Sequence, residues 1–285
     1  MPAVGAMSAM AYAIVALVFF GLGDFVFKRA ADAGVKTHHF IMVQAWLFSS
    51  TVLVYALLTG TLVLDKAALW GSLAGVFMLI GFTNFSRSLG NGAVSINAPI
   101  FRLNFIITAA LAIVLLGEAL TLAKVAALAA ALAAVWLLLG GGPSGPVNRR
   151  SLVQVTVATC ALGIGNIFLK IGLQQGALPE TLVVAQAAVV VSFSTITSAV
   201  IDRRVAPLPI TWRYSPPAAL FLVIAFLCLL LGLARGEASV LVPIAQMGFI
   251  VTAGLGIVWL REPLTVRKIA GLAAAAVALA IFAAA

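Results

Sequence analysis

Two charged residues lie inside long apolar segments, where an ionisable side chain is costly and usually functional. Asp24 belongs to the first apolar segment and Arg102 to the fourth. The guanidinium of Arg102 can hold a substrate carboxylate through two parallel hydrogen bonds. The carboxylate of Asp24 can take a substrate ammonium, or load and release a proton. The pair predicts a binding site for a small charged metabolite; an Asp24–Arg102 ion pair that only holds two segments together is the alternative.

Further polar residues follow Arg102 along the fourth segment. Asn97, Asn104 and Thr108 recur at spacings of seven and four residues, so they share one face of a helix. Phe101 falls on the same face, where its ring could stack on another side chain. We expect Asn97, Phe101 and Asn104 to be candidates for substrate contact, and hydrogen bonding or packing between helices is the alternative for each.

The histidines and cysteines predict no metal site and no disulfide. His38 and His39 are adjacent at a predicted helix start, and the local sequence offers them no third ligand. Cys160 and Cys228 stand singly in apolar segments, without a CxxC or histidine-rich context. We therefore expect small packed thiols and neither a metal nor another cofactor.

The composition explains why these residues must sit in a membrane. Of 285 residues, 64% are apolar and only 9% are charged, against about a quarter in a soluble domain. The net charge of +9 comes from single or paired basic residues between apolar segments, which excludes a nucleic-acid-binding face. Residues 1–7 carry no charge, so the first segment is predicted to be a retained span and not a signal peptide.

Ten segments are long enough to cross a bilayer core as helices, since about 20 apolar residues suffice. The fold class is therefore predicted to be an all-α polytopic membrane protein. The spans, numbered in chain order, are 8–27, 38–59, 67–89, 93–116, 121–140, 151–174, 181–201, 215–234, 238–260 and 265–284.

An internal repeat divides the chain into two halves. Residues 92–124 and 236–268 are identical at sixteen of 33 positions, at an offset of 144, and residues 21–28 match 163–170 at an offset of 142. The second offset also relates Gln44 to Gln186, which are weaker candidates for a cavity wall. These matches pair span 1 with span 6 and span 4 with span 9. They predict a first repeat at 1–142, a linker at 143–150 and a second repeat at 151–285.

Five spans per repeat is an odd number, so the second repeat must enter the bilayer from the opposite side. Two five-helix inverted repeats around a central cavity are the architecture of carriers that bind substrate near the midplane. The offsets relate Asp24 to Asn166 and Arg102 to Gln246, which predicts a ring of four polar groups at the seam.

Equivalent prolines and acids recur in the two repeats. Pro99 and Pro243 lie inside spans 4 and 9, where a missing N–H donor predicts a kink; such a kink serves equally well as a hinge or as a static bend. Glu118 and Glu262 each precede a threonine, Thr121 or Thr265, that can cap the next helix. All four are therefore predicted to stabilise helix ends. Lys28 and Lys170 fit either snorkelling at helix ends or a gate.

The segment LLGEALT (115–121), followed by Lys124 and an Ala/Gly-rich helix, recurs as WLREPLT (259–265). This motif and the ten-span plan resemble the EamA-type branch of the drug/metabolite transporter superfamily, most nearly the YddG-like bacterial amino-acid exporters. Arg261 departs from the pattern, because the first copy has glycine before the glutamate. The resemblance implies a multi-pass carrier of small metabolites in the bacterial cytoplasmic (inner) membrane.

We therefore expect a secondary carrier that moves amino acids or similar metabolites by alternating access, with export as the expected direction. Its partners are a small-molecule substrate and the lipid bilayer; proton coupling through Asp24 and uncoupled facilitation both fit. The chain carries no GxxxxGK[ST] motif for ATP. An intramembrane enzyme, or a carrier of cationic drugs or phosphorylated sugars, is the alternative, although HExxH and GxSxG are absent. The oligomeric state is open, and a monomer fits the sequence.

The two membrane faces differ in charge. We call the side on which odd-numbered spans end face B, and the side that holds both termini face A. Face B carries twelve of the sixteen lysines and arginines near span ends, which predicts that it is cytoplasmic. The family resemblance implies the opposite orientation, so the sequence leaves the orientation open.

Overall fold

The computed structural model describes residues 7–63, 65–139, 148–203, 205–261 and 263–284. All regular secondary structure in these residues is helical. It includes ten spans that are long and apolar enough to cross a membrane. Spans 1 to 3 comprise Ala9–Asp32, Thr37–Thr59 and Leu69–Asn91, the last preceded by a 3-10 turn at Lys66–Ala68. The other uninterrupted spans are Leu122–Leu139 (span 5), Arg149–Gln174 (6), Pro179–Asp202 (7), Thr211–Leu233 (8) and Val266–Ala284 (10).

Spans 4 and 9 are each built from two helices. Span 4 comprises Val94–Arg102 and Asn104–Leu116, and span 9 comprises Ala238–Gln246 and Phe249–Trp259. At each interruption a backbone N–H bonds to the carbonyl three residues earlier, and not four as in an α-helix. Leu103 N donates to Ile100 O and Met247 N donates to Ile244 O, both at 3.0 Å. The interruptions thus lie about one turn after the two prolines predicted to cause kinks, and they divide both spans at the same relative depth.

Two helix boundaries differ from the sequence prediction by more than two residues. Span 1 continues beyond residue 27 to Asp32, because polar helix formers extend it past the apolar segment. Span 8 begins at Thr211 and not at 215, despite Pro216 and Pro217. Those two prolines withhold hydrogen bonds only from carbonyls in the first helical turn, so the helix tolerates them. The predicted linker at 143–150 falls largely outside the described residues.

The two halves of the chain interlock. Span 3 packs mainly against span 6, and span 1 against span 8. Span 4 contacts span 6, and span 1 contacts span 9; span 2 packs on span 7, and span 5 on span 10. The first helix of span 9 also touches the second helix of span 4. Most of the helix contacts therefore join a span of one half to a span of the other.

Glycines allow two of these crossings to be very close. A Cβ atom on Gly21 of span 1 would lie 2.3 Å from the carbonyl oxygen of Gly248, in span 9. A Cβ atom on Gly163 of span 6 would lie 2.6 Å from the Ile107 side chain, in span 4. Both crossings therefore require glycine, as is common where membrane helices approach backbone to backbone.

Candidate functional site

Asp24 and Arg102 form an ion pair between spans 1 and 4, the Arg102 guanidinium donating to the Asp24 carboxylate. Each residue lies eight positions from the face-B end of its helix, which is about 12 Å along the axis. Their side chains keep 37% and 24% of their surface exposed. The main partners of span 1 are spans 8 and 9, and those of span 4 are spans 6 and 9, so the pair bridges two spans that otherwise pack elsewhere.

Aromatic rings join spans 3 and 4 at the residue before Arg102. Phe101, which precedes Arg102, stacks on Phe85 of span 3 with ring centroids 3.8 Å apart and planes within 10°. Phe82 lies 6.3 Å from Phe101, and all three rings keep some exposed surface. The stacking holds the first helix of span 4 against span 3 at the residue that precedes Arg102.

The residues related to the ion pair by the repeat are placed differently. Asn166 is buried in span 6 and its amide donates to the Thr108 hydroxyl at 3.2 Å. Gln246 ends the first helix of span 9 and remains partly exposed. Of the four polar groups expected to form a ring, the structure brings Asp24 and Arg102 into contact and directs Asn166 to span 4.

A line of hydrogen bonds joins spans 4 and 6. The amide of Asn97 donates to Ser151 Oγ of span 6 at 2.8 Å, and also to the Ser88 carbonyl of span 3. About three turns further along, Thr108 Oγ1 donates to the Gly163 carbonyl at 3.3 Å. Asn97 therefore contacts neighbouring helices, which is the alternative role that the sequence left open for it.

Asn104 occupies the start of the second helix of span 4, next to the ion pair in sequence. Its amide nitrogen donates to the Phe101 carbonyl at 2.9 Å. Its side-chain oxygen is buried and accepts no hydrogen bond from the described residues. A buried acceptor without a donor is unfavourable, so Asn104 stays a candidate for substrate contact.

Gln44 and Gln186 do not lie together with the ion pair in any contact that the structure records. Gln44 is partly exposed on span 2, whereas Gln186 is buried on span 7 and its side-chain oxygen lacks a donor among the described residues. A mostly apolar groove between spans 3 and 7 runs past Ser72, Leu79 and Ser192. Within the described part of the chain, its lining contains none of the predicted site residues.

Glu118 joins two helix ends that are distant in sequence. Its two carboxylate oxygens accept hydrogen bonds from the backbone N–H groups of Ala238 and Ser239, at 2.7 and 2.8 Å. A carboxylate there satisfies free donors and meets the positive end of the helix dipole. Glu118 therefore caps span 9, whereas Thr121 accepts from Lys124 N at the start of span 5.

The equivalent residues on face B are described only in part. Thr265 accepts a hydrogen bond from Lys268 N at 3.3 Å and so caps span 10. Glu262 lies outside the described residues.

Two lysines connect helix ends at face A. Lys170 Nζ donates to the carbonyls of Leu233 and Gly236, both at 2.6 Å. Lys124, only 2% exposed, pairs with Glu237 at 2.6 Å and donates to the Ala119 carbonyl at 2.7 Å. Lys124 was expected only as part of the motif that recurs around Lys268, and Glu237 was not among the expected residues. The equivalent of Lys170 on face B, Lys28, is only partly buried.

The two membrane faces differ in packing at equivalent positions. In span 9, Ala238–Ala245 is buried almost completely. The equivalent helix of span 4 is partly exposed at Ile96, Ala98 and Phe101. In spans 1 and 6, Phe27 is 39% exposed while its equivalent, Leu169, is fully buried. The bundle is therefore tightly packed towards face A and looser towards face B.

The expectation that the histidine pair lacks a third ligand is wrong. Asp202, at the end of span 7, brings its carboxylate to His38 and His39, and the three ligand atoms lie within 4.8 Å of one another. Tertiary packing of spans 2 and 7 creates this group, which explains why local sequence could not reveal it. Cys160 and Cys228 are both free thiols inside spans 6 and 8.

Comparison with known protein families gives a match to the first half of the chain. Residues 7–140 match the EamA-like transporter family. No curated protein matches the sequence. A crystal structure of a protein superimposes with a TM-score of 0.83, covering 96% of this chain and 98% of that chain at 14% sequence identity. At that identity the likeness concerns the fold alone.

Proposed function

We propose that this chain, whose residues 7–140 form an EamA-like transporter family domain, is an alternating-access carrier of amino acids or similar zwitterionic metabolites. Transport of a small molecule across the membrane follows from the domain and from ten membrane-spanning helices. The substrate class and the mechanism are our inference. The observation that carries them is the partly exposed Asp24–Arg102 ion pair within the span bundle.

The charges of the site favour a zwitterion. A substrate with one carboxylate and one ammonium can insert between the two residues, placing its carboxylate on Arg102 and its ammonium on Asp24. The exchange replaces one ion pair by two and leaves the site neutral, so no net charge is stranded at low dielectric. A cationic drug or a phosphorylated sugar would leave a net charge there. We propose that Phe101 and Asn104, which lie next to Arg102 in sequence, contact the rest of the substrate, Asn104 through an oxygen that lacks a donor among the described residues.

Equivalent contacts support two inverted five-span repeats with boundaries at 1–142 and 151–285. Thr108 Oγ1 donates to the Gly163 carbonyl, and the residue 144 positions later, Thr252, donates to Gly21 at 2.9 Å. The two glycine crossings are equivalent in the same way, because the crossing of spans 6 and 4 corresponds to the crossing of spans 1 and 9. The packing of span 3 on span 6 likewise corresponds to the packing of span 8 on span 1. Contacts that recur in this way are expected if a pseudo-two-fold axis lies in the membrane plane.

Unequal packing supports alternating access. The face-A end is closed by Lys170, Glu118 and the Lys124–Glu237 pair, while equivalent positions at face B are more exposed. A charged pair exposed to lipid would be very costly, so the exposed surface of Asp24 and Arg102 is best explained by water reaching them from face B. We propose that this state is open to face B, and that exchange of the two repeats' conformations opens face A.

Membership in a YddG-like subgroup, a bacterial cytoplasmic membrane, and export as the direction rest on the sequence resemblance. Proton coupling through Asp24 and uncoupled movement both remain compatible with the site. Measurement of flux with and without a pH gradient separates these two modes.

The test uses purified protein reconstituted into liposomes and a panel of radiolabelled amino acids. We expect saturable uptake without chemical change of the solute. The decisive variant is the double substitution Asp24→Asn and Arg102→Gln, which copies the residues found at Asn166 and Gln246 and strands neither charge. We expect it to lower the transport rate at least about tenfold, the effect of about 1.4 kcal/mol lost from substrate binding.

Thermal unfolding in detergent provides the control, since the double variant keeps polar side chains, leaves no unpaired charge and should melt close to the parent protein. If the variant transports at the parent rate, the ion pair only joins helices and the proposed site is wrong. If no amino acid is transported but cationic or phosphorylated solutes are, the proposed substrate class is wrong.

A further inference from the structure

A second group of polar residues gathers at face B, away from the Asp24–Arg102 pair. The chain has only two histidines, and both direct Nε2 to the same oxygen of Asp202, more than 160 positions later. The distance from His38 Nε2 to Asp202 Oδ2 is 2.8 Å, and His39 makes a shorter contact with the same atom. The side chains of His39 and Asp202 are only 3% and 15% exposed.

We propose that His38, His39 and Asp202 bind a divalent transition-metal ion of the Zn²⁺ class, joining span 2 of one half to span 7 of the other. Two imidazole nitrogens and one carboxylate oxygen are a donor set that such ions accept. Hard ions such as Mg²⁺ prefer oxygen ligands and near-octahedral geometry, so the two histidines select against them.

The geometry requires only a small adjustment. A tetrahedral ion with bonds near 2.1 Å holds its ligand atoms about 3.4 Å apart. The Asp202 oxygen would therefore withdraw from His38 by roughly 0.6 Å, and further from His39, to admit the ion. Asp202 is the last residue of span 7 and Arg203 follows in a left-handed conformation, so the adjustment falls at a helix end. The side chain of His38 is 22% exposed, which leaves a path for the ion and for a water ligand.

Neighbouring groups respond to the ion in different ways. Lys36 Nζ contacts the other Asp202 oxygen, Oδ1, at 3.1 Å and leaves Oδ2 to the imidazoles. A hydrogen bond to the second oxygen orients a ligating carboxylate. The Leu208 N–H donates to His39 Nδ1 across 3.4 Å. This long contact must be given up, because a histidine bound through Nε2 carries its proton on Nδ1.

The position of the ion predicts its consequence. At face A, the same two spans are joined by Thr181 Oγ1, which donates to Thr61 O at 2.7 Å and accepts from Val63 N at 3.0 Å. The histidine group is the corresponding connection at face B. An ion there would hold both ends of the contact between spans 2 and 7, and it would stabilise the folded protein in proportion to its affinity.

The test measures binding of Zn²⁺ to purified full-length protein in detergent, prepared with a purification tag that contains no histidine. After treatment with a chelator and its removal, we expect isothermal titration to show one Zn²⁺ per chain and thermal unfolding to shift upwards. Mg²⁺ should do neither. His39→Gln and Asp202→Asn should each weaken binding at least about 100-fold, because each removes a ligand and not only an outer partner.

Two further variants keep the result interpretable. The substitution of both Cys160 and Cys228 by serine should leave Zn²⁺ binding unchanged, which excludes the thiols. The more exposed His38→Gln should lose binding without loss of the folded state, as judged by size-exclusion chromatography. Absence of stoichiometric Zn²⁺ binding, or binding that survives His39→Gln, would overturn the proposal. Either result is independent of transport activity.

Discussion

At the scale of single residues, the charges at face A are matched to helix ends and to burial. Glu118 caps the N-terminus of span 9, and Lys170 donates to carbonyls at the C-terminal end of span 8. Each charge therefore meets the favourable end of a helix dipole. The Lys124–Glu237 pair is uneven, because Lys124 is 2% exposed and Glu237 is 47% exposed. The contribution of each partner to stability should therefore differ.

We expect Glu237→Ala to destabilise the protein more than Lys124→Met. Among the described residues, the first change leaves the buried Lys124 ammonium with the Ala119 carbonyl as its remaining partner, whereas the second leaves a glutamate that water can solvate. An unpaired buried charge costs more than an exposed one, and we expect a difference of about 1 kcal/mol or more. Thermal unfolding of the two variants in the same detergent measures it, and equal melting temperatures would contradict the uneven burial.

At the scale of elements, two glycine crossings set how closely spans approach beside the candidate site. Gly21 precedes Asp24 by less than one turn, and its crossing partner, Gly248, adjoins the interruption of span 9. The interruption at Leu103 lies directly after Arg102. The ion-pair residues therefore stand next to points where a helix is either tightly crossed or broken, so the backbone determines where these side chains can reach.

We expect Gly21→Ala to destabilise the protein and Gly23→Ala to be nearly neutral. The added methyl at position 21 meets backbone at 2.3 Å and the Val251 side chain at 2.6 Å, whereas at position 23 nothing lies within 4 Å. Overpacking of this kind costs roughly 1–3 kcal/mol. Thermal unfolding of both variants provides the comparison. If both melt like the parent protein, spans 1 and 9 do not cross as closely as described.

At the scale of the whole molecule, equivalent parts of the two halves differ in exposure. The first helix of span 9 is buried, while its equivalent in span 4 is partly exposed on the side of Arg102. A symmetric bundle with both faces closed would expose neither. The difference is what the proposed carrier would have with one access path open, since alternating access opens at most one end of the seam at a time.

We expect a cysteine at position 98 to react with a membrane-impermeant thiol reagent, and one at position 242 to be protected. Ala98 lies one turn from Arg102 and is partly exposed, whereas its equivalent, Val242, is fully buried. Ala98→Cys and Val242→Cys are made with both native cysteines replaced by alanine. Labelling in oriented vesicles also shows which compartment face B contacts. Protection of position 98 from both sides would contradict an opening at face B.

The sequence alone was sufficient to predict the all-helical fold and the ten spans, because apolar segment length against bilayer thickness is a local property. The residue patterns also identified Asp24 and Arg102, since a charge in an apolar segment stands out without reference to its neighbours. The equivalent prolines Pro99 and Pro243 indicated the two spans that are interrupted, although the interruptions themselves lie at Leu103 and at Met247–Gly248.

Other features depend on which spans become neighbours. The Asp24–Arg102 contact, the capping of span 9 by Glu118 and the joining of both histidines to Asp202 all connect residues far apart in the chain. No local pattern encodes such contacts, because they arise only when the two halves interlock and bury particular helix faces. Exposure is decided in the same way: Ala98 and Val242 are equivalent in the repeat, and only the packing around them makes one accessible and the other buried.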